Sequence, residues 1–168
     1  MFGPAPAKDA EFTAFVRSAT PTLTRTAYLL TGDRETASDL VQEAFVRTYL
    51  AWRRVRKDEA TAYARRVLVN LNVDRYRRPS AVPVAMVAER AVDHEEGRVD
   101  DRDELRRMLA SLAPQQRRVI VLRYFDDLSE AEVAQCLGVT VGSVKASCSR
   151  GLAALRGAFA PAMEGGSR

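Results

Sequence analysis

Apolar residues recur every three or four positions along most of the chain, which is the spacing of amphipathic helices and not the alternation of strands. The clearest case lies at 34–52, where the apolar residues follow one helical face. A first helical region precedes it at 11–30. We expect Pro21 to interrupt that helix or to open a second one, and Thr31 and Gly32 to end it. The pattern predicts an all-α protein.

A third helix is predicted at 58–78, after a short basic loop. Asp58 can cap its first turn, and Pro79 should stop it. Beyond Pro79 the helical spacing is lost, and the chain becomes rich in proline, alanine and acidic residues. This composition predicts a flexible acidic linker at 80–102. A poorly patterned helix at 89–104 is the alternative.

Helical spacing returns in the last third of the chain. A helix is predicted at 103–112, and another at 114–124 with a proline in its first turn. At 129–137 a serine followed three residues later by a glutamate forms a capping box, and Gly138 should adopt the left-handed conformation that ends this helix. A last helix, capped by the threonine before it, is predicted at 141–156.

The length of 168 residues gives room for one compact domain or two small ones. We predict two small helical domains, at 9–79 and 103–158, joined by the linker and followed by a disordered tail at 159–168. No apolar run approaches the roughly 18–20 residues of a membrane-spanning helix, and the N-terminus has no apolar signal-peptide core. We therefore expect a cytoplasmic protein that does not insert into membranes.

The net charge of +4 is unevenly distributed along the chain. Residues 1–52 carry a net charge of −1, residues 53–88 of +6, residues 89–104 of −5 and residues 105–168 of +4. Two basic blocks separated by an acidic strip indicate two surfaces that face polyanions. A solvated basic face is the alternative for each block.

Few residues suit catalysis or metal binding. One histidine, His94, and two cysteines, Cys136 and Cys148, cannot supply a four-ligand zinc site or a disulfide framework. We expect both cysteines to act as small buried apolar residues, with a redox switch as the alternative. Since no catalytic dyad or phosphate loop is recognisable either, we expect neither an enzyme nor a cofactor.

The spacing of small residues in the last third predicts a helix-turn-helix. Ala134, Gly138 and Val144 stand where such a unit needs a small residue, a turn glycine and a branched apolar residue, because its two helices touch closely. The second helix can then enter the major groove. Hydroxyl and basic side chains on its outward face could reach phosphates and guanine edges. The predicted DNA-facing set is Thr140, Ser143, Lys145, Ser147, Ser149 and Arg150.

One stripe on the third helix combines an asparagine with arginines. Its members are Arg66, Asn70, Asp74 and Arg77, with Arg75 and Arg78 beside them. This chemistry is typical of reading an unpaired base while holding backbone phosphates. Four aromatic residues could add stacking, although each could equally belong to the core: Tyr49, Trp52, Tyr63 and Tyr76.

The second helix carries a compact polar patch opposite its apolar face. Asp39, Gln42 and Glu43 share this patch, because they stand three and four residues apart. Taken alone, the patch is also what a solvated helix face would show.

The order of these motifs resembles the small bacterial sigma factors called extracytoplasmic-function sigma factors, of the sigma-70 family. The resemblance rests on Asp-Leu-Val-Gln-Glu-Ala-Phe at 39–45, on Val-Asn-Leu-Asn-Val-Asp-Arg-Tyr-Arg-Arg at 69–78, and on the acidic linker. It also rests on Leu-Ala-Pro-Gln-Gln-Arg at 112–117, which leads into the helix-turn-helix. It covers about residues 10–158.

The resemblance implies an initiation factor that binds core RNA polymerase and directs promoter-specific transcription. Asp39, Gln42 and Glu43, together with Phe45, would bind the clamp helices of the beta-prime subunit, and the beta flap would be a second contact. The stripe around Asn70 and the loop before it would melt the minus-ten element and capture its non-template strand. The last helix would read the minus-thirty-five element as duplex DNA. An anti-sigma factor joins the candidate partners.

Three other classes of protein fit part of the pattern. A conventional helix-turn-helix regulator would bind duplex DNA as a dimer, without polymerase. A nucleic-acid enzyme would need paired carboxylates near its basic helices, where the sequence offers only Asp74. A pure interaction module, such as an anti-sigma factor or adaptor, would not need a basic recognition helix.

Overall fold

The computed structural model describes residues 7–78 and 99–159, which form seven α-helices and contain no strand. The helices are α1 at Ala7–Thr31, α2 at Arg34–Ala51, α3 at Ala60–Arg77, α4 at Val99–Ala110, α5 at Pro114–Ile120, α6 at Glu130–Leu137 and α7 at Val141–Phe159. A 3₁₀ turn at Lys57–Glu59 precedes α3, and a π-helical turn at Val121–Phe125 continues α5. The all-α prediction is confirmed for this part of the chain.

Helix α1 runs unbroken through Pro21, so the expected interruption there is wrong. Buried Ala19 and Leu23 flank the proline. Their packing holds the helix together against a local cost of about 3 kcal/mol. The predicted end is confirmed, since Gly32 adopts φ +71° and its N–H donates to the Tyr28 carbonyl at 2.7 Å.

The caps of α2 and α3 differ from expectation. Asp33, which was not predicted as a cap, accepts a hydrogen bond from the Thr36 N–H at 2.8 Å, and hydrogen bonding from Thr36 lowers the pKa of Asp33. Asp58 does not cap α3. It lies in the 3₁₀ turn and pairs with Arg56 at 3.0 Å, because that turn shifts the start of the helix to Ala60.

The predicted linker and tail lie almost entirely outside the described residues, as does His94. Helix α4 starts at Val99, so the expected helix start at residue 103 is wrong and the last residues assigned to the linker are helical. Acidic residues are favoured at a helix start by the helix dipole, which explains how this acidic stretch enters a helix. At the other end α7 reaches Phe159, three residues beyond its predicted limit.

The helix-turn-helix is built as predicted. Ser129 and Glu132 form the reciprocal capping box, with the Glu132 N–H donating to Ser129 Oγ at 3.2 Å and the Ser129 N–H to Glu132 Oε2 at 2.7 Å. Hydrogen bonds from Ser129 lower the pKa of Glu132. Gly138 adopts φ +65°, and Thr140 Oγ1 accepts from the Ser143 N–H at 3.1 Å.

A single apolar core spans both halves of the described chain. Leu23, Leu30 and Leu68 of the first half, and Leu122 and Val133 of the second half, are each less than 2% exposed and belong to one cluster. The second half therefore packs directly on the first. The division into two separable domains stays a prediction.

An aromatic cluster closes one end of the first half. Phe12, Phe15, Phe45, Tyr49 and Trp52 pack with ring centroids 5.0–6.5 Å apart. Trp52 is 3% exposed, so its place is in the core and not on a stacking surface.

Candidate nucleic-acid and polymerase surfaces

The polar patch of α2 is exposed on the side of the helix away from buried Leu40 and Ala44. Asp39, Gln42 and Glu43 all reach solvent, and Glu43 pairs with Arg47 at 2.6 Å. A pair this exposed on both sides contributes little to stability. The patch is therefore free to bind a partner.

Phe45, predicted with this patch, is half-buried. Its ring packs edge-on against Phe12 and Phe15, at centroid distances of 6.5 and 6.0 Å. It supports α2 from the aromatic cluster and does not stand free beside the carboxylates.

Two apolar residues extend the polar patch along α2, and sequence analysis missed them. Val46 is 58% exposed and Leu50 is 77% exposed. They lie seven and eleven residues after Asp39, which places them on the same helical face. Their spacing from Asp39 was the sequence signal that they share its face. It was missed because apolar residues in a regular helix are normally assigned to the core. We call residues 39, 42, 43, 46 and 50 the α2 face.

The predicted stripe on α3 is exposed along its whole length. Arg66, Asn70 and Asp74 follow one another at intervals of four residues, and Arg75, Arg77 and Arg78 are exposed beside them. Among the described residues, none of these arginines forms an ion pair. Their guanidinium groups are available to phosphates.

A basic groove of about 580 Å³ opens beside this stripe, between α3 with its preceding loop on one side and α6 on the other. Arg54, Arg56 and Arg66 line it, with the Tyr63 ring. Lys57 anchors the loop, since its Nζ lies 3.7 Å from the centre of the Trp52 ring and donates to the Trp52 carbonyl at 3.0 Å.

On α7 the predicted DNA-facing residues are exposed, with one exception. Thr140, Ser143, Lys145, Ser149 and Arg150 reach solvent. Lys145 pairs with Glu130 of α6 at 3.8 Å, an exposed contact that DNA phosphates can displace.

Placing Ser147 on the outward face of α7 is wrong. Ser147 is 5% exposed, because it lies one turn from buried Val144 and Gly151 on the side that packs on α5. The approach there is close: a Cβ on Gly151 would come within 3.2 Å of Ile120 Cγ1.

The two cysteines are both free thiols, as expected, but differ in burial. Cys136 is 8% exposed, and burial raises the pKa of its thiol to about 11. Cys148 is half-buried against the core, and its Sγ lies 3.7 Å from the Tyr124 hydroxyl. The predicted burial is confirmed for Cys136, whereas Cys148 is only partly buried.

Buried polar groups that sequence analysis passed over connect the two halves of the chain. The Asp126 carboxylate, which is fully buried, accepts hydrogen bonds from Thr26 Oγ1 at 2.7 and 2.9 Å. Arg65 Nε lies 3.2 Å and Arg25 Nη2 3.5 Å from the same carboxylate. These four residues are called the Asp126 cluster.

A second polar contact lies across the same junction. Arg118 Nε donates to Asn72 Oδ1 at 3.1 Å, and both residues are buried. Burial lowers the pKa of Arg118, and its guanidinium lies 5.4 Å from the centre of the Tyr76 ring. Sequence alone gives no signal for either contact, since the partners are 46 and 100 residues apart.

Within residues 7–78 and 99–159, no group of three or more histidine, cysteine or acidic side chains could hold a metal ion. In the same ranges, every helix is too short or too polar to cross a membrane.

Both halves of the chain match known protein families. Residues 15–81 match the family described as Sigma-70 region 2, and residues 102–155 match Sigma-70, region 4. The chain is 40% identical over 149 residues to the RNA polymerase sigma-E factor of Streptomyces avermitilis, covering 87% of this chain and 83% of that one. It is 29% identical to the ECF RNA polymerase sigma factor SigW of Bacillus subtilis, covering 77% of this chain and 78% of that one.

Solved structures share the fold. A chain from the co-crystal structure of the sigma factor RpoE with the anti-sigma factor NepR from Bartonella quintana matches with a TM-score of 0.70 and 21% identity, over 87% of this chain and 94% of that one. A chain from the structure of CnrH with the cytosolic domain of CnrY matches with a TM-score of 0.67 and 24% identity, over 89% and 87%. With both regions present in order and a 40% identical relative, the chain belongs to the extracytoplasmic-function sigma factors of the sigma-70 family.

Proposed function

We propose that this protein binds core RNA polymerase and directs initiation at specific promoters by reading DNA in two forms. The observation that carries the proposal is the pairing, in one chain, of an exposed Asn70–arginine stripe on α3 with a helix-turn-helix that presents α7. The first suits unpaired bases and the second suits duplex DNA. The protein acts by binding, and the polymerase performs the chemistry.

The minus-ten element is the proposed ligand of α3. The Asn70 amide carries both donors and acceptors, so it can read the edge of a base that is no longer paired. Arg66, Arg75, Arg77 and Arg78 flank it and can hold the backbone phosphates. Asp74 stands between them and would favour bases that offer an amino group.

The minus-thirty-five element is the proposed ligand of α7. Ser143 lies in its first turn, where a recognition helix meets base edges. Lys145, Ser149 and Arg150 follow on the exposed side, and Thr140 begins the helix. Arg150 can form bidentate contacts with guanine or phosphate, whereas Lys145 acts as a point charge. Ser147 has no part in this surface, since it is buried.

The proposed contact with the clamp helices of the beta-prime subunit is the α2 face. Asp39 and Glu43 supply charge, and Gln42 supplies hydrogen bonds. Val46 and Leu50 supply apolar area that is exposed to solvent in the free protein. An exposed apolar patch bordered by polar groups is typical of a protein interface. Phe45 supports this helix from within.

The remaining partners follow from the same role. The second half would contact the beta flap, and an anti-sigma factor would hold the protein inactive. The protein would act in the cytoplasm and would associate with the nucleoid through RNA polymerase. A conventional duplex-binding regulator is not favoured, since the part of the chain that matches Sigma-70 region 2 would then have no function.

Reconstituted transcription tests the proposal. The purified protein is combined with bacterial core polymerase and a pool of fragments from its own genome, and core polymerase alone is the control. We expect new transcripts whose start sites share a two-element motif. Failure to bind core polymerase would contradict the assignment and would favour a duplex-binding regulator.

A further inference from the structure

A small cavity of about 300 Å³ lies where α3, α5 and the end of α6 meet. It shares no lining residue with the basic groove beside α3. Its wall combines apolar with hydrogen-bonding side chains: Val73, Leu137 and Val139, and Arg77, Gln115 and Arg118. Within residues 7–78 and 99–159, no acidic residue lines it. An apolar pocket with a few convergent polar groups is the usual form of a small-molecule site. We call it the Arg118 cavity.

Arg118 brings a buried positive charge to this cavity. It is 6% exposed. Its Nε donates to Asn72 Oδ1 at 3.1 Å and its Nη1 to Gln115 Oε1 at 3.4 Å, and both acceptors are neutral amides. A guanidinium has five N–H donors, so three of them have no acceptor in the described part of the chain. A buried charge in this condition is costly, so an added anion would stabilise it.

The residues around Arg118 add positive charge and do not neutralise it. Burial lowers the pKa of Arg118, and the charges of Arg117 and Arg77 lower it further. Arg117 binds backbone carbonyls, among them that of Leu109 at 2.7 Å, and no carboxylate of the described residues pairs with it. Arg77, exposed at the end of α3, lines the cavity. Three guanidinium groups therefore create a positive potential here.

Arg65 shows how this protein neutralises another buried guanidinium. Its Nε lies 3.2 Å from the fully buried carboxylate of Asp126. Arg118 is also buried, and no carboxylate in residues 7–78 and 99–159 pairs with it. The difference indicates that the counter-charge of Arg118 is supplied by a bound anion.

A phosphate group fits the donors of the Arg118 cavity. A guanidinium binds phosphate through two parallel N–H···O bonds, and Arg118 has donors left on both Nη atoms. The Tyr76 ring lines the cavity too, with its centre 5.4 Å from Arg118 Cζ, and is 43% exposed. It can therefore contact an organic group attached to the phosphate.

We propose that the Arg118 cavity binds a small phosphate monoester, with its phosphate group on Arg118 and Arg77 and its organic part against Tyr76 and the apolar wall. This site goes beyond the proposed function and does not depend on it. A DNA phosphate has similar chemistry, but it is a diester with chain on both sides. It is therefore harder to seat on a guanidinium that is only 6% exposed.

Titration of the isotope-labelled full chain with phenyl phosphate, followed by NMR, tests the site. Sodium chloride holds the ionic strength constant, so that screening does not change. We expect a saturable shift of the Arg118 Nε–H signal, which is assigned by its absence in Arg118→Gln. Inorganic phosphate should bind at least about threefold more weakly, because it lacks the organic part. A shift that does not saturate would overturn the site, and equal affinities for the two probes would overturn the monoester assignment.

Matched variants assign the binding to this cavity, with the amide signals of Gln115 and Val139 as reporters. Arg118→Gln should weaken phenyl phosphate at least about 10-fold, since it removes a buried charged donor. Arg77→Gln should weaken it about threefold, and Arg78→Gln, an exposed neighbour that does not line the cavity, less than about twofold. If Arg118→Gln loses helix content by circular dichroism, the comparison of Arg77→Gln with Arg78→Gln decides. Equal affinities in all folded variants would overturn the site.

A single-stranded oligonucleotide separates a free phosphate monoester from DNA as the source of the phosphate. We expect the oligonucleotide to leave the Arg118 Nε–H signal unmoved while phenyl phosphate shifts it. An oligonucleotide that shifts this signal, with no effect of phenyl phosphate, would overturn the proposal and assign the cavity to the DNA-binding surface.

Discussion

Gly151 shows how the absence of one side chain positions α7. It faces α5 so closely that an added Cβ would lie 3.2 Å from Ile120 Cγ1 and 3.4 Å from Gln116 Cβ. This approach turns Ser147 into the interior and leaves Ser143 and Arg150 pointing outward.

Gly151→Val should therefore destabilise the protein. The larger side chain must displace Ile120, and overpacking of this kind costs about 1–3 kcal/mol. The urea midpoint of unfolding measures the loss. Gly157→Val is the control, since nothing lies within 4 Å of a Cβ at that exposed position of the same helix. Equal midpoints for the two variants would contradict the close packing.

Cys136 should make stability fall at alkaline pH. Burial raises the pKa of its thiol from about 9 to about 11. Between these values the unfolded chain loses the proton while the folded chain keeps it. The stabilisation is therefore complete below pH 9 and is lost as pH rises toward 11, by about 2–3 kcal/mol.

Unfolding free energies measured from pH 8 to pH 11 check this expectation. Cys136→Ala should flatten that decline relative to the wild type. Cys148→Ala is the matched control, because it removes the other, half-buried thiol, and it should retain the decline. A decline that survives unchanged in Cys136→Ala would show that other groups cause it.

At the scale of the helices, the α2 face should provide much of the affinity for polymerase. Val46→Ala together with Leu50→Ala removes exposed apolar area, so we expect core polymerase to bind about 10-fold more weakly, with unfolding changed by less than about 0.5 kcal/mol. Fluorescence anisotropy of labelled protein measures the binding.

The control for that measurement is Arg34→Ala in the same helix. Arg34 is exposed and lies five residues before Asp39, about 140° around the helix from it. It should leave the affinity for polymerase unchanged. An equal loss in the control and the double variant would mean that the α2 face is not the docking surface.

Local chemistry explains which elements were predictable from sequence. The capping box at Ser129 and the left-handed glycines at 32 and 138 act within a few residues, so their outcome is independent of the rest of the fold. The continuity of α1 through Pro21 depends on packing against other helices, which no local pattern reports.

The candidate surfaces were also predictable in part from the sequence. The exposure of the Asn70 stripe and of most of the α7 residues follows from helical periodicity. Ser147 was assigned to the exposed face of α7 because helical periodicity does not show how wide the buried face is. Leu50 was missed because an apolar residue carries no sign that it is exposed.

For the whole molecule, the packing of the second half on the first could not be predicted from the sequence. Thr26 and Asp126 are 100 residues apart and carry no motif that pairs them. The charge pattern indicated two polyanion-binding surfaces, but it could not show that these surfaces lie close together in the structure.

We propose that α3 opens DNA and that α7 locates it, and one experiment separates the two roles. Polymerase complexes carrying wild-type protein, Asn70→Ala or Arg150→Ala are assembled on a cognate promoter. Permanganate reactivity of unpaired thymines reports strand opening, and titration of promoter occupancy reports recognition. We expect Asn70→Ala to lower opening about 10-fold at unchanged occupancy, and Arg150→Ala to weaken occupancy about 10-fold at unchanged opening per bound complex. Equal loss of both activities in both variants would contradict this division of roles between α3 and α7.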